Sequence, residues 1–279
     1  MFEGLFSSIS AELADVRQTI LKQIQFSESF TEGAMDTVRY FFQAKGKLLR
    51  PALVLLSAKS IDTGSSRKDH SLVQLAAGLE LIHSASLIHD DMIDQTDDRR
   101  GQMAMHRIFG EKMAVLAGDF LFVRGFSIIS RLGTPELLQI VLPCVERMCG
   151  AEISAIQKTD LTWDDYSRYI EAKTAGFMAA CCQLGCLTVE CKDKQRRALT
   201  DFGYHFGMLY QITDDCMDGD LPSCIDIDWL EKIQGHSGRA LSQLDVLVKS
   251  PFTEILAELT ENLVCRAENR MIQSSQGVA

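Results

Sequence analysis

Two short stretches hold residues whose types and spacing could do chemistry together. Residues 86–101 read SLIHDDMIDQTDDRRG, and residues 210–220 read YQITDDCMDGD. In the first, Asp90 and Asp94 are four apart and Asp91 and Asp94 three apart; Asp214, Asp215 and Asp218 repeat that DDxxD spacing in the second. On a helix such positions share a face, so each trio can aim its carboxylates into one cleft. Carboxylates this close repel by about 0.2–0.5 kcal/mol per pair, and near a helix C-terminus they also oppose the macrodipole. A cation removes both penalties. Hard divalent ions take carboxylate oxygens, and Mg²⁺ favours one or two carboxylates plus water and phosphate oxygens. A single trio would read as a solvated helix end. Two of identical spacing, facing each other across a bundle, would hold on the order of two or three Mg²⁺ ions around one diphosphate.

Positive groups accompany the acids. Arg99 and Arg100 directly follow the first trio, KGKLLRP supplies Lys45, Lys47 and Arg50, and YIEAKTAGF supplies Lys173 and Thr174. Guanidinium forks match phosphate oxygens, and lysine adds a mobile point charge. His83 lies seven residues before Asp90, on the same helix face two turns back. His89 and His106 are read as structural.

The elements that must position these groups are helical almost throughout. Apolar residues recur at helical spacing over 4–24, 32–44, 70–95, 109–131, 135–158, 164–188, 193–219, 226–249 and 252–270, with a further start near Pro51. In the clearest case Leu72, Leu75, Leu79, Ile82 and Ser86 follow the i, i+3, i+4 rule. Pro135, Pro222 and Pro251 fall at or near starts, and Pro143 falls where it would kink a helix. No strand is expected. A polar tail, SSQGVA, ends the sequence. The fold class is all-α: a single domain over residues 1–279, a bundle of roughly ten helices.

Composition sets limits. The 279 residues are 46% hydrophobic and 24% charged, with a net charge of −10 at pH 7, which argues against general nucleic-acid binding. A phosphorylated ligand stays allowed, because a bound metal reverses the local sign. Nine cysteines without framework spacing suit reduced, buried thiols; Cys182 and Cys186, one turn apart, are read as core packing. No apolar run of about 20 residues for a membrane span is expected, nor a signal peptide, so the chain is read as soluble and cytoplasmic.

With these residues in place, the chain resembles the trans-type (all-E) isoprenyl diphosphate synthases. GKLLRP is similar to their GGKRLRP segment, and LELIHSASLIHDDMIDQTDDRRG to their first aspartate-rich motif with its Arg-Arg-Gly. FGEKMAVLAGDFLF resembles the stretch that follows, YIEAKTAGF their Lys-Thr helix, and FGYHFGMLYQITDDCMD their second aspartate-rich motif. The resemblance runs in order over residues 10 to 220. It implies an all-α fold around a deep central cavity, a homodimer, and Mg²⁺-dependent transfer between isopentenyl diphosphate and an allylic diphosphate. It implies that Asp90 and Asp94, supported by Asp91, hold Mg²⁺ on the allylic diphosphate, with Asp214, Asp215 and Asp218 holding an ion opposite. Arg99 would contact the allylic diphosphate, and Lys47, Arg50, His83 and Arg100 would bind isopentenyl diphosphate. Lys173, Thr174 and Gln211 would steady the allylic diphosphate and the developing cation.

In the family, bulky residues four or five positions before the first aspartate stop chain growth. Here those positions are Ser86 and Ala85, which implies a product of about C20 or longer, since each methylene-sized group buried adds about 0.8 kcal/mol. Such a product has affinity for membranes. The sequence departs from the family pattern after Asp218: GDLPSCIDIDWLEK stands where the family carries a basic, lysine-bearing loop, and Lys232 is the nearest substitute. Tyr210, in place of Phe, and GQMAM after Arg100 depart less. The shortened segment opens a second reading, a non-catalytic or regulatory subunit of a heteromeric synthase. A terpene cyclase or head-to-head condensing enzyme would share the acid-rich helices but not need Lys47, Arg50, His83 and Arg100.

Overall fold

The computed structural model describes residues 4–25, 32–44, 46–61, 69–155, 162–222 and 224–276. The chain divides into two compact units, Met1–Leu55 with Ser66–Leu138, and Leu56–Ser65 with Gln139–Ala279.

The first unit is built on α4 (Asp69–Ile93), whose Leu75, Leu79 and Ile82 are fully buried, as the apolar spacing requires. Around it stand α1 (Ser10–Gln23), preceded by a short 3₁₀ turn, α2 (Glu32–Phe41), the first half of α3 (Leu49–Lys59), α5 (Met105–Phe109) and α6 (Glu111–Arg131). The expected helix over 109–131 is α6, which starts at Glu111 because Gly110 at φ +82° separates it from α5. α4 and α6 cross backbone to backbone: a Cβ built on Gly125 would fall 2.7 Å from the Gly78 carbonyl oxygen. The crossing fixes the direction in which α4 delivers its last turn, where the first aspartate trio sits.

The expectation of no strand is corrected at one place. β1 (Asp98–Arg99) pairs antiparallel with β2 (Gln102–Met103). The two residues between them, Arg100 and Gly101, have φ of +58° and +77°, the handedness that matches strand twist in a two-residue hairpin. A two-residue ladder is too short for any alternating apolar pattern to announce it.

The second unit is built on α10 (Asp193–Asp218), with Phe202, Phe206, Leu209 and Ile212 fully buried. α7 (Pro135–Ala155) runs on through Pro143; α8 (Trp163–Ile170), α9 (Gly176–Leu187), α11 (Trp229–Leu244) and α12 (Pro251–Gln276) complete it. Pro222 lies in the loop before α11. α12 takes in residues 274–276 of the polar tail; the rest of that tail, and residues 156–158 of the expected fifth helix, lie outside the described residues. The single helix expected over 164–188 is interrupted at Glu171–Ala175 by one π turn, a form enriched at functional sites, which carries Lys173 and Thr174. Cys182 and Cys186 are fully buried, and all nine cysteines are free thiols.

By length and composition α4 and α6 could each cross a bilayer, which corrects the expectation that no segment could. In α4, 72% of the apolar window is packed inside the protein, the condition of a core helix; in α6 it is 39%.

Candidate active site

In the first unit the aspartate trio occupies the last turn of α4 and its exit. Asp91 points inward and is 2% exposed, whereas Asp90 is half-buried and Asp94 exposed. The Arg99 Nε donates to Asp91 Oδ1 at 2.6 Å, and its Nη2 closes on the same oxygen. The hairpin makes this possible by sending neighbouring arginines apart. Arg99 turns back to α4. Arg100 goes to Gly46, where any Cβ would fall 2.6 Å from its Nη1, and its guanidinium stands 5.6 Å from the Phe41 ring centroid.

Arg50 reaches α4 from α3: its Nη1 lies 2.8 Å from His83 Nε2. Arginine has only donors, so His83 Nε2 accepts and the ring proton sits on Nδ1. Burial lowers the His83 pKa well below its usual value, and Arg50, Arg100 and Arg99 lower it further, so the ring is neutral. Its Nδ1 is buried without a hydrogen-bond partner among the described residues. Lys47 is exposed; Lys45 lies outside the described residues. Sequence reasoning missed Glu80, one turn before His83. It is 3% exposed beside Arg100, Arg50 and Arg17; burial raises its pKa and the three arginines oppose that rise. The signal was a lone acid inside the apolar run GLELIHS.

In the second unit the other trio ends α10. Asp214 is half-buried and Asp218 exposed, while both oxygens of Asp215 are engaged. The Tyr166 hydroxyl donates to its Oδ2 at 2.5 Å and Gln211 Nε2 to its Oδ1 at 2.8 Å. The Gln211 Oε1 accepts from Thr174 Oγ1 at 2.7 Å, which brings two predicted residues together in one chain of hydrogen bonds. Burial raises the Asp215 pKa, and the bonds from Tyr166 and Gln211 lower it again. Lys173 pairs with Glu152 at 2.7 Å and donates to the Tyr169 hydroxyl at 2.9 Å. Burial, against the pull of Lys173, lifts that phenol to about 12. Tyr166 and Glu152 were missed because they meet their partners across 49 and 17 residues; Tyr169 had a local signal, its i, i+4 spacing from Lys173. Lys232 lies 5.1 Å over the Trp163 ring.

Both trios thus share a plan. The second aspartate is tied to the protein, the last is exposed, and the first, its i, i+4 partner, is half-buried. Among the described residues no three His, Cys, Asp or Glu groups form a ready cage for a metal. Mg²⁺ does not require one, since it keeps waters and takes one or two carboxylates with substrate phosphates. Hard oxygen donors at solvent-facing positions fit that ion.

The model of the polyprenyl synthetase family matches residues 32–221. The heptaprenyl diphosphate synthase component 2 of Geobacillus stearothermophilus is 36% identical over 219 residues, 77% of this chain and 66% of that protein. The chain spans just under two thirds of the length of the curated relatives named first among its matches. The crystal structure of geranylgeranyl pyrophosphate synthetase from Pyrococcus horikoshii superposes with a TM-score of 0.83 at 22% identity, covering 94% of this chain and 98% of that one. A polyprenyl synthase from Caulobacter crescentus CB15, complexed with calcium and isoprenyl diphosphate, superposes at 0.82 with 23% identity, covering 95% and 97%. The all-α fold is that of these isoprenyl synthases, and the sequence match runs through both aspartate trios. The chain belongs to the polyprenyl synthetase family.

Proposed function

We propose that this chain is a trans-prenyltransferase, condensing isopentenyl diphosphate with an allylic diphosphate to give an all-trans polyprenyl diphosphate of about C20 or longer. The observation that carries the reading is the shared plan of the trios: Asp91 and Asp215 held by the protein, with exposed Asp94 and Asp218 each four residues after a half-buried aspartate, Asp90 or Asp214.

The demanding step is breaking a carbon–oxygen bond to separate an allylic cation from diphosphate. Asp90, Asp94, Asp214 and Asp218 would hold magnesium, with Asp91 and Asp215 setting their placement. When bound, magnesium supplies Lewis-acid stabilisation of the charge building on the leaving diphosphate. Arg99 and Lys173 add fixed positive charge to that oxyanion, the electrostatic form of catalysis. Lys47, Arg50, His83 and Arg100 would bind isopentenyl diphosphate, with neutral His83 contributing an N–H rather than charge. The isopentenyl double bond attacks the cation, and the released diphosphate takes the departing proton. Thr174 and Gln211 orient the polar wall beside the cation. No protein nucleophile is required.

A homodimer is the expected assembly. On α6, Leu116 and Val123 lie seven residues apart on one face and are 61% and 66% exposed, apolar area that a second copy would cover. Free thiols throughout suit a reducing cytoplasm.

The test is purified protein with Mg²⁺, isopentenyl diphosphate and farnesyl diphosphate, followed by chain-length analysis of the dephosphorylated products. Asp90→Ala and Asp214→Ala are each expected to lower turnover at least ~10²-fold with the fold intact. Near-normal rates in both would refute the metal assignment. A second reading is favoured by one observation: the Geobacillus relative is a component 2. Turnover that appears only on adding a second, different chain would establish this protein as one subunit of a heteromeric synthase.

A further inference from the structure

α11 opens on Trp229, which packs against two other aromatic rings. Asp228 caps α11 by accepting from the Glu231 backbone N–H at 3.1 Å. Trp229, the first helical residue, meets the Tyr166 ring edge-on at 5.5 Å and 87°, and the Trp163 ring at 6.0 Å and 71°. Trp163 and Tyr166 are themselves 6.0 Å apart, and Lys232 covers Trp163. Such aromatic contacts are directional as well as apolar. The other end of the arrangement is fixed too. Thr162 and Asp165 form a reciprocal capping box that sets where α8 begins. Tyr166 is therefore 5% exposed, gripped on its ring, and left with one polar atom, which meets Asp215.

Asp215 is the residue on which the last turn of α10 depends. Its backbone carbonyl accepts from both Gly219 and Asp220 at the helix end. Its carboxylate oxygens accept from Tyr166 and Gln211. Asp214, Asp218 and Asp220 crowd the same turn, where like charges and the macrodipole both favour fraying. An anchor is needed there that does not discharge the trio. A phenol serves: it donates a hydrogen bond and brings no positive charge.

We propose that Tyr166, clamped by Trp229 at the start of α11, is a positioning residue that holds Asp215 so that Asp214 and Asp218 can take a divalent cation with diphosphate. The inference rests on the metal-binding part of the function proposed above. Its consequence is that losing one hydroxyl, with no change of fold, weakens cation binding at a trio the hydroxyl does not itself ligate.

The test is calorimetric titration of Mg²⁺ in the presence of inorganic pyrophosphate, alongside steady-state kinetics. Tyr166→Phe is expected to weaken Mg²⁺ binding about five- to tenfold, the loss of a hydrogen bond to a charged group, and to raise by a like factor the Mg²⁺ needed for half-maximal rate. The KM for isopentenyl diphosphate stays unchanged. Trp229→Ala reproduces the loss; Trp229→Phe, which keeps a ring, largely restores binding. In the presence of Asp215→Asn, adding Tyr166→Phe costs nothing further, because the two act as one unit. Wild-type affinity in Tyr166→Phe, or losses from Tyr166→Phe and Asp215→Asn that simply multiply, overturns the inference while leaving the proposed reaction intact. If the wild type shows no turnover but Tyr166→Phe still weakens Mg²⁺–pyrophosphate binding, the positioning role stands and the reaction falls. A wild type that binds no Mg²⁺ with pyrophosphate overturns both.

Discussion

Arg99→Ala separates the structural duty of this residue from its proposed duty toward the allylic diphosphate. The substitution strands Asp91, whose side chain is 3% exposed and whose Oδ1 accepts from Arg99 at 2.6 Å. Breaking a fully buried pair by removing one partner costs about 3–5 kcal/mol, and a hydrogen bond to a charged group about 1.5–3. The Arg99 side chain is 32% exposed, so water reaches the space it vacates and part of the penalty is recovered. The expected destabilisation is therefore about 2 kcal/mol. Urea unfolding followed by circular dichroism reads it as a lower midpoint at unchanged slope. The control is Asp91→Asn in the Arg99→Ala background. A neutral amide is cheaper to bury than an orphaned carboxylate, so the double variant should regain about 1 kcal/mol over Arg99→Ala. Turnover should not return with it, because the guanidinium for the diphosphate is still missing. A loss below about 0.5 kcal/mol in Arg99→Ala, within the range of ordinary surface substitutions, would refute the anchoring of Asp91.

Three further outcomes are expected. Ser86→Phe, at a half-buried position where Ser86 Oγ donates to the His83 carbonyl at 2.8 Å, should shorten the polyprenyl product; thin-layer chromatography of dephosphorylated products checks it, and an unchanged chain length refutes the wall assignment. Gly207→Ala would set a Cβ 2.6 Å from the Ala175 Cα, so α10 must move off the π turn, at a cost of about 1–3 kcal/mol in urea unfolding. His236 is held down at about 4 by burial, then by His205, Arg239 and Lys232, and its Nδ1 lies 3.2 Å from His205 Nδ1. The unfolded chain protonates first on acidification, so this contribution is complete above pH 6.5 and lost toward pH 4; by pH 5 it should amount to about 1–2 kcal/mol, seen as a pH-dependent stability difference between wild type and His236→Gln.

What could be read from the sequence followed from local rules. α4 was legible because Leu72, Leu75, Leu79 and Ile82 obey one period without interruption, and the aspartate trios because a repeated spacing of like charges conflicts with helix electrostatics. Which side chains pair with one another was not legible. Tyr166 meets Asp215 across 49 residues and His83 meets Arg50 across 33, and neither separation carries a periodic signature. The π turn at Glu171–Ala175 adds no residue type that a plain α-helix would refuse. The hairpin was hidden by its own brevity, although Gly101 marked a position able to take positive φ.

The hairpin also settles why two arginines follow the first trio. A helix would have spread Arg99 and Arg100 about 100° around one axis, both near the crowded aspartates. A two-residue turn instead gives them opposite destinations, Asp91 for one and the Gly46–Phe41 surface for the other. The energetic demand is a non-glycine residue at φ +58°, worth roughly 1–2 kcal/mol of strain. That strain is sustained because Arg100 is held between the two paired strands and its side chain lies against Gly46 and Phe41. The same economy appears in the second unit, where Asp215 is fixed by a helix end on its carbonyl and by Tyr166 and Gln211 on its carboxylate. The anchors differ in charge: Arg99 brings a positive charge to Asp91, while Tyr166 brings none to Asp215.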